Sequence, residues 1–207
     1  QLEGEWIAIA WAIEGAALAG SGFRSGSASL RGASLILFAL AAFNLIFDLP
    51  DGGAFLFNAR FATFAVLVSC LAMAAIWAFK TAESLSSNER FGFGAAGVAT
   101  NIFAVWGLSL ELWDVFSTGH RTGLAQMLAL SLFWAVYATA LILLGVLRSI
   151  PALRWQALAL FGLLVGKVFL YDFALLEKAY RIASFFALGT ALLAVSFFYQ
   201  RRQGAEK

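Results

Sequence analysis

The sequence predicts an all-α fold, a polytopic membrane bundle of about seven transmembrane helices. Hydrophobic residues make up 62% and charged residues 13% of the 207-residue chain, against about a half and a quarter in soluble domains. Mean hydropathy is +0.85. Seven apolar stretches reach the roughly 20 residues that a helix needs to cross a bilayer core about 30 Å thick. The chain is therefore expected to be an integral membrane protein.

The seven predicted spans are separated by short breaks rich in Gly, Pro, Ser and charged residues. We place the spans at about residues 5–22, 30–49, 60–80, 91–112, 123–147, 153–173 and 180–200. Both prolines, Pro50 and Pro151, fall in breaks, where they do not interrupt a helix. The chain begins at Gln1 with no basic leader before its first span. We therefore expect a single transmembrane domain over residues 1–207 that is a fragment of a longer chain.

The basic residues predict the orientation of the spans. The loops after spans 1, 3 and 5, together with the C-terminus, hold nine of the 14 lysines and arginines, and the opposite loops hold four. Cytoplasmic loops of membrane proteins carry the excess of Lys and Arg. The N-terminus is therefore predicted to lie outside and the C-terminus in the cytoplasm.

An internal repeat relates the first three predicted spans to the last three. A shift of 123 residues aligns "WAIEGAALAG" from Trp11 with "WAVYATALIL" from Trp134, and "LRGASLILFALAAFN" from Leu30 with "LRWQALALFGLLVGK" from Leu153. Over residues 11–48, 11 of 38 positions are identical to their partners. The repeat units are about 5–80 and 124–201, joined by span 4 (91–112). Because the offset is four spans, the two units are predicted to lie parallel in the membrane.

The segment "KVFLYDFALLEKAYRIASFFALGTALLAVSFFYQRR", from Lys167 to Arg202, resembles the C-terminal part of a bacterial family of multi-pass membrane proteins, domain of unknown function 2339. "EWIAIAWAIEGAALA" and "LRGASLILFALAAFNLIFDL" are similar to its repeated upstream helices. The resemblance implies a bacterial inner-membrane protein and lends no established activity.

Lys167, Tyr171 and Asp172 lie near the outer end of the sixth span and are candidate binding residues. A lysine within a span is costly unless it is paired or reaches the interface. Three roles are open for Lys167: a snorkelling ion pair, a substrate or ion site, and a lipid headgroup contact. Lys167 and Tyr171 share a helix face, whereas Lys167 and Asp172 do not.

Arg60 and Arg181 each begin a helix on the outer side, shortly after Asp48 and Asp172 end the preceding one. The helix dipole disfavours a cation at an N-terminus, so each arginine needs a compensating acid. One interpretation is a repeated clamp of Asp and Arg between neighbouring helices. The other is a pair of arginines that together grip an anionic group.

Glu14 lies deep in the first span, where an unpaired carboxylate is expected to bind a proton. It is a candidate for a hydrogen-bonded contact between helices or for a proton-coupled role.

The sequence narrows the functional classes. A formal net charge of +2 does not indicate nucleic-acid binding, and one cysteine with one histidine makes a zinc site improbable. We expect no cofactor, and no catalytic set can be assembled.

The expected partners are the lipid bilayer and other transmembrane helices. The favoured hypothesis is a structural or assembly part of a larger membrane protein or complex. The alternative is transporter or flippase-like handling of a lipid-linked or anionic substrate at an outward-facing site.

Overall fold

A computed structural model of the chain describes residues 4–118, 123–169, 188–190 and 192–193. The helices are α1 (Gly4–Ser25), α2 (Ala28–Phe47), α3 (Ala59–Lys80), α4 (Ser87–Thr118), α5 (Gly123–Leu147) and α6 (Pro151–Lys167), with a short 3₁₀ turn (Ala82–Ser84) before α4. The chain divides into two compact units, Gln1–Phe161 and Gly162–Lys207. The first contains α1 to α5 and the beginning of α6.

Five helices in the described part of the chain are long and apolar enough to cross a membrane. They are Trp6–Ser25, Ala28–Phe47, Ala59–Lys80, Ser87–Ser117 and Ala125–Leu147. The predicted all-helical membrane class is thereby confirmed, and these five coincide with the first five predicted spans. The sixth predicted span, 153–173, overlaps α6. Most of the seventh, 180–200, lies outside the described residues.

Helix α1 packs on α2 and α3 through a face of small residues. Ala8, Ala12, Ala16 and Ala19 are buried at helical spacing. A Cβ at Gly15 would lie 3.0 Å from the ring of Phe38, and one at Gly20 would lie 3.1 Å from the indole of Trp77. Small residues let neighbouring helices approach closely, which strengthens packing where lipid offers no hydrophobic gain.

Helix α3 packs on α4 through an aromatic cluster. The ring of Phe64 meets Trp106 edge-on with centroids 5.3 Å apart and lies 6.3 Å from Phe103. At Gly107, a Cβ would lie 2.7 Å from the Phe64 ring, so this glycine sets the distance between the two helices. This contact lies one turn from the cluster of charged residues described below.

Polar contacts join α5 and α6 to α4. The Tyr137 hydroxyl donates to Asn101 Oδ1 at 2.9 Å, and Asn101 Nδ2 donates to Gln156 Oε1 at 2.8 Å. Nearby, Trp134 Nε1 donates to Ser109 Oγ at 3.0 Å. These bonds satisfy polar groups that would be costly to expose to lipid.

Helix α4 is longer than the predicted span of 91–112. It has 32 residues, about 48 Å at 1.5 Å per residue. Its start lies within the segment that we predicted as a break, because "SSNE" forms a capping box. Glu89 Oε2 accepts from the Ser86 amide at 2.9 Å, and the Glu89 amide donates to Ser86 Oγ at 3.4 Å. The extra turns place acidic side chains at both ends of this helix.

Candidate functional site

Within the described part of the chain, the most buried group of charged side chains joins the start of α3 to the end of α4. Arg60 Nη2 donates to Glu111 Oε1 at 2.9 Å and to Asp114 Oδ2 at 2.6 Å, and its Nε donates to Glu111 Oε1 at 3.2 Å. Arg60 and Glu111 are buried, with 6% and 2% exposed, whereas the Asp114 side chain is 37% exposed. We call Arg60, Glu111 and Asp114 the Arg60 cluster.

Local sequence positions each member of the Arg60 cluster. Asn58 caps α3, because its Oδ1 accepts from the Phe61 amide at 2.7 Å. This cap fixes the direction in which Arg60 leaves the helix. Glu111 and Asp114 are three residues apart and therefore share one face of α4.

The loop between α2 and α3 closes over Glu111. The second carboxylate oxygen of Glu111, Oε2, accepts from the Leu56 amide at 3.1 Å and from Asn58 Nδ2 at 2.8 Å. Leu56 has a positive φ of 61°, an uncommon conformation for a branched side chain. At Gly52, a Cβ would clash with Asp114 Oδ2 and lie 2.9 Å from Arg60 Nη1. The backbone itself therefore covers the ion pairs.

The Arg60 cluster is held by contacts within the chain. Both oxygens of Glu111 have partners, and Arg60 donates to the two carboxylates from Nε and Nη2. An adjacent groove of about 260 Å³ between α3 and α4 is lined by apolar and small residues and one hydroxyl: Phe61, Phe64, Ala65, Val68, Ser69, Phe103, Ala104, Gly107 and Leu108. Within the described part of the chain, no three His, Cys, Asp or Glu side chains come together to hold a metal ion.

The structure gives Arg60 different acids from the one expected. Asp48 ends α2 as its C-cap and is exposed. The side chains that neutralise Arg60 are instead Glu111 and Asp114, which are more than 50 residues further along the chain. The sequence predicts that Arg60 needs a compensating acid, but the identity of that acid depends on the long-range pairing of α3 with α4.

Of the remaining candidate residues, two lie in the described part of the chain. Glu14 is exposed on α1. Lys167 is half-buried in the last turn of α6 and makes a contact within the chain. Tyr171, Asp172 and Arg181 lie outside the described residues.

A family model described as "Predicted membrane protein (DUF2339)" matches residues 23–202. The chain belongs to this DUF2339 family. No significant match is found among curated proteins or solved structures. The family match confirms the resemblance seen in the sequence and agrees with the five apolar helices.

A second, partly buried ion pair in this DUF2339 chain, at the opposite end of the helices, was not among the predicted sites. Arg31 Nε donates to Glu89 Oε1 at 2.6 Å, and Arg31 Nη1 donates to the Gly22 carbonyl at 3.3 Å. The capping-box pattern around Glu89 was the available signal for the helix start. The sequence carried no comparable signal for its pairing with Arg31.

The connection between α5 and α6 shows the same close approach of a glycine and an arginine. A Cβ at Gly22 would lie 2.8 Å from Arg31 Cγ, and one at Gly145 would lie 2.8 Å from Arg154 Cγ. The two sites differ at the guanidinium, because Arg154 Nε is buried and has no hydrogen-bond partner. Among the described residues, Arg31 therefore has an acidic partner and Arg154 does not.

Proposed function

We propose that this DUF2339 chain is a structural or assembly part of a larger polytopic membrane protein or complex. One observation carries the proposal: the buried charges Arg31, Arg60 and Glu111 are each neutralised by side chains of this same chain. A site that binds a charged ligand has to leave some of these groups open. The ion pairs instead hold α4 against α2 at one end and against α3 at the other.

The energetics of buried ion pairs agree with a role in specifying helix pairing. Desolvation cancels much of the Coulomb attraction, so a buried pair adds little net stability compared with well-packed apolar side chains. Removing one member costs far more, because the remaining charge is left buried without a partner. For α3 and α4, the Arg60 cluster therefore disfavours every alternative register that separates Arg60 from Glu111.

The transporter or flippase-like alternative requires an accessible cation for a lipid-linked or anionic substrate. Arg60 could serve only by exchanging Glu111 and Asp114 for the substrate, at the cost of leaving the Glu111 carboxylate buried without a cation. Among the side chains that line the adjacent groove, Ser69 is the polar one. The cost of freeing Arg60 and the apolar lining of the groove both favour the structural role.

The parallel repeat is part of the proposal. The matching close approach of Gly22 to Arg31 and of Gly145 to Arg154 supports it, because each pair is related by the same shift of 123 residues. The units 5–80 and 124–201 are then two copies of one three-helix arrangement, and α4 joins them.

We further propose a bacterial inner membrane location with the N-terminus outside and the C-terminus in the cytoplasm. The basic residues around the α1–α2, α3–α4 and α5–α6 connections support this orientation. They are Arg24, Arg31, Lys80, Arg90, Arg148 and Arg154. On the opposite side, the described part of the chain has two basic residues, Arg60, which is paired, and Lys167 in the last turn of α6.

Purification from native membranes tests the structural role. The protein, carried in mild detergent or nanodiscs, is sized by native electrophoresis, and its bound polypeptides and lipids are identified by mass spectrometry. We expect a particle larger than the monomer, with other membrane segments in fixed stoichiometry. A monomer with a stoichiometric anionic lipid that Arg60→Gln removes would contradict the structural role and support the alternative.

A further inference from the structure

Helix α1 carries a carboxylate on its exposed face in the middle of the predicted bilayer. Glu14 lies about ten residues from either end of α1, roughly 15 Å at 1.5 Å per residue. It is exposed, and it makes no hydrogen bond or ion pair within the described part of the chain. A glutamate side chain is too short to carry its charge that far to the membrane surface.

The residues around Glu14 form a continuous strip opposite the buried alanines of α1. We call this strip the Glu14 face. It consists of the exposed residues Trp6, Ala10, Ile13, Glu14, Ala17 and Ser21. Contact between a carboxylate and lipid tails is strongly unfavourable, and polar side chains within spans usually face other helices. The alanines and the serine leave room for a second backbone to approach.

In the second repeat unit, a neighbouring helix covers the position that corresponds to Glu14. Tyr137 on α5 occupies the position that corresponds to Glu14 after the shift of 123 residues. Helix α4 covers it, and the Tyr137 hydroxyl bonds to the amide side chain of Asn101 at 2.9 Å. At Glu14, the described residues supply no helix that plays the part of α4.

We propose that the Glu14 face binds a further transmembrane helix of different sequence, which donates a hydrogen bond to Glu14 from an amide or hydroxyl side chain near the bilayer midplane. This inference rests on the proposed assembly role and names the surface through which assembly occurs. A symmetric contact between two copies of α1 would place the two Glu14 side chains against each other, and the neighbouring exposed residues of this face, Ala10, Ile13 and Ala17, supply no amide or hydroxyl donor at that depth.

Photocrosslinking in native membranes tests the Glu14 face. A benzophenone amino acid is placed at Ala10 in the intact gene product, and a matched control carries it at Ile36, an exposed apolar position on α2. We expect the probe at position 10 to form an adduct with a membrane segment of different sequence. Peptide mapping should place an Asn, Gln, Ser, Thr or Tyr of that segment at the depth of Glu14. The probe at position 36 should label lipid.

Substitutions of Glu14 separate a specific contact from simple proximity. Glu14→Leu removes the acceptor, so the adduct yield should fall about tenfold. Glu14→Gln keeps an acceptor oxygen, so the yield should stay within about threefold of the unsubstituted protein. Because Glu14 is exposed, both variants should keep the thermal stability of the isolated chain.

Three outcomes would overturn the inference: an adduct between two copies of the chain, lipid adducts alone at position 10, or equal yields from Glu14→Leu and the parent. Native electrophoresis of the same membranes separates this failure from failure of the assembly role. If a large particle persists while position 10 labels lipid alone, the assembly role stands and the Glu14 face is not its interface.

Discussion

Replacing Arg60 with methionine should destabilise the contact between α3 and α4 by about 3–5 kcal/mol, the usual cost of removing one partner from a buried ion pair. The substitution removes three charge-assisted hydrogen bonds, two to Glu111 and one to Asp114. Each is worth about 1.5–3 kcal/mol, but their sum overstates the loss. Asp114 is 37% exposed and can be rehydrated, and Glu111 keeps its hydrogen bonds from Leu56 and Asn58.

Thermal unfolding in detergent, followed by tryptophan fluorescence, measures the loss. At roughly 2–4 °C per kcal/mol for a chain of this size, Arg60→Met should lower Tm by about 6–20 °C. Arg24→Gln is the matched control, since it removes an exposed cation at the end of α1 and should change Tm by about 2 °C or less. The reasoning is refuted if Arg60→Met changes Tm no more than the control does.

Two further predictions concern packing and topology. Gly107→Ala should cost about 1–3 kcal/mol in the same assay, because its methyl group meets the Phe64 ring. Gly94→Ala, with no atom within 4 Å, should be neutral or slightly stabilising; equal effects would show that the close approach at Gly107 is unimportant. Cysteine at Ser117 should react with an impermeant reagent from outside intact cells, and cysteine at Ser87 should not. Labelling at position 87 would reverse the proposed orientation.

Much of the fold could be predicted because composition and span length are local properties of a membrane protein. Apolar stretches of about 20 residues identify helices without knowledge of their neighbours, and five of those predicted are confirmed. Helix ends were harder to place. Ser86 and Glu89 lie in a polar segment that we predicted as a break between spans. Their spacing is that of a capping box, so α4 begins before its apolar stretch does.

The Arg60 cluster could be predicted only in part, because its members come from distant segments. The dipole at the start of α3 requires an acid near Arg60, and that requirement is visible in the sequence. Choosing between Asp48 and the pair Glu111 and Asp114 requires knowing that α3 packs on α4. That packing is set by the fit of Gly107 and the surrounding aromatic rings, which residue spacing along the chain does not reveal.

The central claim is that the Arg60 cluster is a structural contact, and a variant without its charges tests it most directly. Arg60→Met, Glu111→Gln and Asp114→Asn are combined, and Tm and native particle size are compared with those of Arg60→Met alone. Glutamine at position 111 keeps an oxygen for the bonds from Leu56 and Asn58. If the cluster is structural, the triple variant regains most of the stability that Arg60→Met loses and retains the native particle. If the triple variant is stable but the particle is lost, the charges serve a binding site and the account is contradicted.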